Sequence, residues 1–159
     1  MEIEDAVKFM KERHKGQTRK QGTPYYTHPL EVSNILKQKG FPKKYQIVGL
    51  FHDLLEDTST TYEEIQKMTD QETATAVKLL TKKEGYIMKE YIERIKENEL
   101  ARNVKLADRL HNLREVHYGS EEFIEKYIKE TEEWFINLAK NTIFEKEINN
   151  TLQNLKQKI

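Results

Sequence analysis

The chain of 159 residues contains no cysteine, only three prolines and six glycines, and it carries no net charge. The absence of cysteine excludes disulfides, a thiolate zinc site and a cysteine nucleophile. Lysine plus arginine and aspartate plus glutamate both number 27, and this balance argues against general nucleic-acid binding, which needs a basic excess. No apolar run approaches the length of a membrane span and the N-terminus is acidic, so we expect a cytoplasmic protein without a membrane partner.

The scarcity of glycine and proline, together with 34% charged residues, favours helices with solvated outer faces. No window shows the alternating pattern of a strand. We therefore predict an all-α fold of about eight to ten helices, formed as a single domain by residues 1–159.

The segment from residue 47 to residue 58 combines an apolar helix pattern with four polar side chains. We predict one helix from about Lys43 to Glu56, buried through its apolar residues, which are Ile47, Val48, Leu50, Phe51, Leu54 and Leu55. On a continuous helix the side chains of His52, Asp53, Glu56 and Asp57 would share one face. Burying these carboxylates is costly unless a cation neutralises them, which favours a metal. The alternative is a polar face turned to water at a helix end.

Two other places in the chain offer matching ligands. His28 precedes Pro29 at a predicted helix start, and Asp108 lies on a second apolar helix. With His52 and Asp53 they would make a site of two histidines and two carboxylates, with coordination positions left for water.

The remaining elements follow from breakers, caps and periodicity. Ile3–His14 is predicted as an amphipathic helix, and Lys15–Thr27 as a polar loop that carries Arg19 and Lys20. Thr60 or Thr61 is predicted to cap a short helix ending at about Met68, and Asp70 to cap the next. A helix bearing Ile87, Tyr91, Ile92 and Ile95 should follow the turn at 81–85. Beyond Gly119 two amphipathic patterns are interpreted as core helices, the first with Phe123, Tyr127, Phe135 and Leu138, the second with Phe144, Ile148, Leu152, Leu155 and Ile159.

Four blocks of the sequence resemble the HD-domain metal-dependent phosphohydrolases, whose signature is the order H…HD…D. The resemblance is closest to the hydrolase domain of RelA/SpoT proteins and to the stand-alone small alarmone hydrolases. The blocks are Gly16–Tyr25, Thr27–Leu30, His52–Thr58 and Val104–Arg114, in the same order as in that family.

The resemblance implies an HD-domain helical bundle that binds one divalent ion, manganese, through His28, His52, Asp53 and Asp108. It also implies a reaction, the hydrolysis of the 3′-pyrophosphate of guanosine tetra- or pentaphosphate to GDP or GTP and pyrophosphate. Glu56 and Asp57 would be the catalytic acids that orient and deprotonate the attacking water.

The same resemblance predicts how a nucleotide would be held. Arg19 would lie against the guanine and Lys20 beside a pyrophosphate, while Asn112 would bond a sugar hydroxyl or a base edge. Lys82 and Lys83 would either bring further positive charge to the substrate or simply be solvated. The family often has a threonine where this chain has Glu115, one turn after Asn112.

Three histidines lie outside the predicted ligand set. His14 is interpreted as a structural histidine, and His111 and His117 as residues that support the ligands from behind or lie at the surface. Two alternatives to the alarmone reaction stay open. One is an HD phosphohydrolase acting on another nucleotide, such as a nucleoside mono- or diphosphate; the other is a nucleotide-binding module without turnover. The oligomeric state is not predicted.

Overall fold

The computed structural model describes residues 1–158, and it is all-α, as predicted. Its α-helical segments are α1 (Ile3–Arg13), α2 (Thr27–Gln38), α3 (Lys43–Phe51), α4 (Leu54–Asp57), α5 (Tyr62–Met68), α6 (Gln71–Leu80), α7 (Met88–Glu97), α8 (Glu99–Glu115), α9 (Glu121–Glu130), α10 (Ile136–Ala139) and α11 (Glu145–Gln157). Within residues 1–158, α4 and α10 are single turns of four residues, and the other segments have seven residues or more. No strand forms in this part of the chain, where Thr18 and Pro24 make an isolated antiparallel bridge.

Side-chain caps set where several of these helices begin. The hydroxyl of Thr61 accepts a hydrogen bond from the Glu64 backbone N–H (3.2 Å), and Asp70 accepts one from the Thr73 N–H (2.8 Å). Both caps were predicted, and each satisfies an N–H that the first helical turn leaves without a partner. Gly40, at φ +84°, ends α2 in the left-handed conformation that glycine adopts at low cost.

The core is centred on α2, α3 and α8, which pack against one another, with α1, α6, α7 and α11 around them. Its largest fully buried side chains include Phe51, Phe135, Phe144, Met10, Leu36 and Leu106. Because both α2 and α3 pack against α8, polar side chains at their contact lie inside the protein. No helix within residues 1–158 is both long and apolar enough to cross a membrane.

The prediction of one continuous helix over Lys43–Glu56 is wrong, because the helix is interrupted at His52 and Asp53. α3 ends at Phe51, and His52 and Asp53 form a turn before α4 begins at Leu54. The His52 ring bonds to the Gly49 carbonyl oxygen through Nδ1 (2.6 Å), and Asp53 has φ −101° and ψ −2°, outside the helical range. His52, Asp53, Glu56 and Asp57 therefore do not share the single helix face that was predicted.

Two further expectations need correction. Ile87 precedes α7 and is 58% exposed, so it does not join Tyr91, Ile92 and Ile95 in the buried face. The pattern from Phe123 to Leu138 is not one α-helix, because a π-helical segment, Thr131–Phe135, separates α9 from α10. Phe144, Ile148 and Leu152 are buried as predicted, and Ile159 lies outside the described residues.

Candidate active site

Three buried side chains from three elements meet where α2, α3 and α8 pack together. His28 is in the first turn of α2, His52 directly follows α3, and Asp108 lies in the middle of α8. His28 Nε2 is 2.7 Å and His52 Nε2 is 3.2 Å from the same oxygen, Asp108 Oδ1. One donor atom from each of these residues lies within 4.8 Å of the others. Because these donor atoms could together hold a metal ion, we call His28, His52 and Asp108 the metal-ligand cluster.

Each histidine ring makes a hydrogen bond on the side away from the cluster, and this bond determines which ring nitrogen faces the cluster. His52 Nδ1–H donates to the Gly49 carbonyl oxygen, so Nε2 is the nitrogen that faces Asp108. His28 Nδ1 is 2.7 Å from Nδ1 of His111. The pKa of His111 is lowered to about 4 by burial and then by His28, so His111 is neutral and its Nδ1 can accept from His28.

His28 and His52 point one ring nitrogen each at the same carboxylate oxygen, an arrangement that attracts a cation, either a proton or a metal ion. Burial alone would lower the pKa of His52, but Asp53 and Asp108 raise it well above its ordinary value, which is the response of a site that attracts positive charge. Two nitrogens and a carboxylate oxygen, with no thiolate, are suitable ligands for a divalent transition metal. The donor set therefore fits a divalent ion.

Asp53 adjoins the metal-ligand cluster through His52. Its Oδ2 is 3.1 Å from His52 Nε2 and accepts a 2.6 Å hydrogen bond from the Tyr25 hydroxyl. Burial and the neighbouring Asp53 raise the pKa of Tyr25, which therefore stays a donor at neutral pH. Tyr25 thus orients Asp53, a role that the sequence analysis did not assign although Tyr25 ends the first resembling block.

Lys105 holds the second oxygen of Asp108. Its Nζ lies 3.0 Å from Asp108 Oδ2, and both side chains are largely buried. Burial would raise the pKa of Asp108, but Lys105 and then His52 hold it well below its ordinary value. The sequence analysis missed this role, for which the signal was a lysine between Val104 and Leu106 on a buried helix, three residues before Asp108.

Glu56 and Asp57 lie at the exposed rim, on α4. A Glu56 carboxylate oxygen accepts a hydrogen bond from the Lys82 backbone N–H (2.7 Å). The pKa of Asp57 is raised to about 6 by burial, by Asp53 and by Glu56. These two acids therefore differ, because Glu56 is held by a backbone donor and Asp57 exchanges a proton near neutral pH.

His14 and Gln17 connect the end of α1 to the same rim. Gln17 donates to the Asp57 carbonyl oxygen (2.9 Å), and its own oxygen accepts from His14 Nδ1 (2.8 Å). His14 is 1% exposed, and its Nε2 has no hydrogen-bond partner within residues 1–158. His14 is buried as a structural histidine would be, but only one of its ring nitrogens is bonded.

A cavity of about 290 Å³ lies next to the cluster; we call it the nucleoside-sized cavity. It is lined by Thr18, Arg19, Lys20, Gln21, Tyr25, Asn112, Glu115, Val116, Tyr118, Gly119, Phe123 and Tyr127. Phe123 and Tyr127 come from a pattern that was interpreted as core packing; Tyr127 does pack against the core, and both side chains also line this cavity.

Cations from the Lys15–Thr27 loop reach into this cavity. One Arg19 guanidinium nitrogen lies 3.2 Å from Asn112 Oδ1 and 2.9 Å from Glu115 Oε1. Lys20 Nζ lies 3.0 Å from the centre of the Phe123 ring. Asn112 also donates from Nδ2 to Asp108 Oδ1 (3.3 Å), so a single side chain joins the cavity to the metal-ligand cluster.

Lys82 and Lys83 make different contacts, although both lie near Tyr86. The Lys82 backbone contacts Glu56, and its Nζ lies 5.3 Å from the Tyr86 ring centre. Lys83 lines a second cavity of about 380 Å³, on the side where Arg94 and Tyr86 lie. His117 is exposed, as predicted, and its ring centre lies 4.1 Å from that of Tyr118.

Residues 6–87 match the family model described as the HD domain, which is more than half of the chain. The chain belongs to the HD domain family. His28 and the His52–Asp53 pair lie inside the matched HD region, and Asp108 follows it on α8.

Two proteins similar to this chain carry the same name, guanosine-3′,5′-bis(diphosphate) 3′-pyrophosphohydrolase. The protein from Spiroplasma citri is 39% identical over 129 residues, covering 74% of this chain and 17% of the relative. The protein from Aquifex aeolicus is 37% identical over 146 residues, covering 87% of this chain and 21% of the relative. The chain thus spans about a fifth of the length of these curated HD-domain relatives.

A solved structure has nearly the same extent as this chain. It belongs to a metazoan ortholog of SpoT described as hydrolysing ppGpp. At a TM-score of 0.84 it covers 95% of this chain and 93% of its own, with 24% sequence identity. This likeness establishes that the HD-domain fold extends over almost the whole chain, including α8 and the helices that follow it.

Proposed function

We propose that this HD-domain chain hydrolyses the 3′-pyrophosphate of guanosine tetra- or pentaphosphate, giving GDP or GTP and pyrophosphate. The observation that carries the proposal is the position of Asn112. Its amide touches the cluster residue Asp108 on one side and the cavity residue Arg19 on the other. A nucleotide whose 3′-phosphate met the cluster would therefore have its ribose beside Asn112 and its base in the nucleoside-sized cavity. The names of the curated relatives support the same substrate.

The metal-ligand cluster, together with Asp53, would hold one divalent ion, which we propose to be manganese. Such an ion supplies Lewis-acid polarisation of a phosphoryl oxygen and neutralises negative charge on the substrate. Tyr25 and Lys105 each hold one carboxylate oxygen, of Asp53 and Asp108 respectively, and so limit how these ligands can turn.

Proton transfer is assigned to the acids at the rim. Asp57, with its pKa near 6, is poised to take a proton from the attacking water at neutral pH. Glu56 is fixed by the Lys82 backbone N–H and would orient that water.

The cations of the loop are assigned to binding. Arg19 would stack on the guanine, and Lys20, released from the Phe123 ring, would meet a pyrophosphate. Lys82 lies near the catalytic rim and is the better placed of the two neighbouring lysines to contact substrate, since Lys83 lines the other cavity.

Chromatographic assay of manganese-loaded protein on a nucleotide panel tests the substrate. We expect release of pyrophosphate from the guanosine alarmones and no comparable turnover of nucleoside mono- or diphosphates. Turnover of another nucleotide with inert alarmones would keep the phosphohydrolase class and reject the substrate. No turnover of any nucleotide, with alarmone binding retained, would leave a binding module.

Alanine variants test the roles of the rim acids. Glu56→Ala and Asp57→Ala should each lower turnover by about 10²–10⁴-fold, the usual contribution of proton transfer by a positioned side chain. Metal content, measured by elemental analysis after dialysis, should be unchanged in both, whereas Asp53→Ala and Asp108→Ala should lose the metal. Glu125→Ala, an exposed change on α9, is the control. Near-full turnover in both rim variants would reject their catalytic role.

A further inference from the structure

Glu115 places a negative charge in the cavity where a polyanionic substrate is proposed to bind. Its side chain is 26% exposed, and it contributes the only carboxylate among the residues that line the nucleoside-sized cavity. A carboxylate beside a phosphate is repulsive, so Glu115 is badly placed for the phosphate end of the ligand. It is well placed for a part of the ligand that donates hydrogen bonds.

The spacing along α8 indicates which part of the ligand reaches Glu115. Asp108, Asn112 and Glu115 follow one another at intervals of four and three residues, so they lie on one face of the helix. Seven residues of helix separate Asp108 from Glu115 by about 10.5 Å along the axis. If the 3′-phosphate is at Asp108 and the ribose at Asn112, the base is the group that reaches Glu115.

Glu115 is also available as an acceptor. Its Oε1 is buried 2.9 Å from Arg19 and 3.6 Å from His111 Nε2, and the arginine compensates its charge, so Oε2 is the oxygen left for a ligand. An ionised carboxylate can only accept hydrogen bonds, through two oxygens. The Watson–Crick edge of guanine presents two adjacent donors, N1–H and the 2-amino group. Adenine presents an N1 lone pair at the same place, which a carboxylate repels.

We propose that Glu115 is a specificity-determining residue that selects guanine by accepting hydrogen bonds from N1–H and the 2-amino group through Oε2. This inference rests on the proposed function for the placement of the nucleotide. It assigns a role to a position where this chain differs from the threonine frequent in the resembling family.

Calorimetric titration of GDP, IDP and ADP into chelator-treated protein measures base selection without turnover. We expect GDP to bind more tightly than ADP by about 10- to 100-fold, the range for one bidentate base contact. IDP, which lacks the 2-amino group, should lie between them. Glu115→Thr should bring the three affinities together, whereas Glu125→Ala should keep the original order. An unchanged ratio of GDP to ADP affinity in Glu115→Thr would overturn the assignment, as would failure of the unaltered protein to prefer GDP.

Two further measurements separate direct contact from indirect effects. If Glu115 contacts the base itself, Glu115→Thr should still lower the preference for GDP in an Arg19→Ala background. No further change there would mean that Glu115 only positions Arg19, which would reject the proposal. Manganese affinity of Glu115→Thr should equal that of the unaltered protein, and a loss would assign Glu115 to the support of His111 instead.

The titration also distinguishes the two proposals. Intact GDP selection in a protein that does not hydrolyse alarmone would reject the proposed function and keep the role of Glu115. Alarmone hydrolysis without a preference for GDP would keep the proposed function and reject the role of Glu115.

Discussion

His111 contacts the metal-ligand cluster from behind. Its Nδ1 lies 2.7 Å from Nδ1 of His28, and this contact decides which nitrogen of His28 faces Asp108. Partners of this kind orient metal ligands, and their loss typically costs about 10- to 100-fold in metal affinity. We expect His111→Phe to weaken manganese binding by that factor in calorimetric titration, and His111→Gln, which keeps an acceptor, to weaken it less. His117→Phe is the surface control, and an equal affinity in all four proteins would contradict the role.

Asp57 should leave a signature in the pH dependence of stability. Its pKa in the folded protein is raised from 3.8 to about 6 by the partial desolvation of its carboxyl and by the negative charges of Asp53 and Glu56. The folded state therefore holds this proton more tightly than the unfolded chain, so the free energy of unfolding falls as the pH rises from about 4 to 6. Asp57→Asn removes this contribution, so the Tm of the variant relative to the unaltered metal-free protein should rise across the same window.

Thermal melts in chelator from pH 4 to pH 7 measure this difference. Parallel Tm curves for Asp57→Asn and the unaltered protein would contradict the raised pKa.

Sequence alone identified the residues whose types are unusual for where they lie. His28, His52 and Asp108 stand out because histidine and aspartate are rare on apolar helices, and the structure brings them together. Tyr25 and Glu115 could not be assigned in the same way. Their roles depend on how the Lys15–Thr27 loop lies across α8, which no local pattern encodes.

At the scale of the elements, the break between α3 and α4 shows a limit of predicting helices from the spacing of apolar residues. The apolar pattern from Ile47 to Leu55 fits one helix, yet the bond from the His52 ring to the Gly49 carbonyl oxygen accompanies a turn. Caps with a local chemical signal, such as Thr61 and Asp70, were predictable. A turn that involves a ligand side chain was not, because its cause is the packing of three helices around His52.

The first and last residues of the π-helical segment Thr131–Phe135 contact a buried arginine. Arg109 is 3% exposed; its Cζ lies 4.0 Å from the Tyr127 ring centre and 3.8 Å from that of Phe135. It also bonds the carboxylate of Glu130 (2.6 Å) and the hydroxyl of Thr131 (3.3 Å). π-Helical turns are uncommon, and this one ends at Phe135, whose ring contacts the same guanidinium group as the Tyr127 ring of α9.

We expect Arg109→Met to lower the free energy of unfolding by about 2 kcal/mol, the scale of a desolvated cation–π contact. Urea denaturation with an unchanged m-value would measure it. Glu130→Gln should cost less, because the Glu130 side chain is 38% exposed and solvent screens its ion pair. If Arg109→Met leaves the free energy of unfolding unchanged, the contact of Arg109 with the aromatic rings contributes no net stability.

At the scale of the whole molecule, the metal-ligand cluster joins α2, the end of α3 and α8, which form the centre of the core. An ion bound there binds the folded state only, so it should raise stability by about 2.7 kcal/mol at a hundred times its Kd. We expect manganese to raise the Tm of chelator-treated protein, and Asp108→Ala to abolish the rise. Equal melting temperatures with and without manganese would contradict a metal at this position.

The all-α class was predictable from the lack of alternation, of glycine and of proline, since these are averages over many residues. The positions of α9 to α11 were predictable only as amphipathic patterns. Which side of α9 would face a cavity was not, because Phe123 and Tyr127 carry the same apolar signal as the buried Phe135.

The loop that carries Arg19 and Lys20 is held closed by its own backbone. Arg19 N–H bonds the Thr23 carbonyl oxygen (2.8 Å), Gly22 N–H bonds that of Arg19 (2.9 Å), and Tyr25 N–H bonds that of Gln17 (2.8 Å). A nucleotide therefore meets a loop whose backbone is already ordered, and little chain entropy is lost when it binds. Association should then proceed at the rate of encounter, steered by charge and slowed by salt, with no separate step of loop closure.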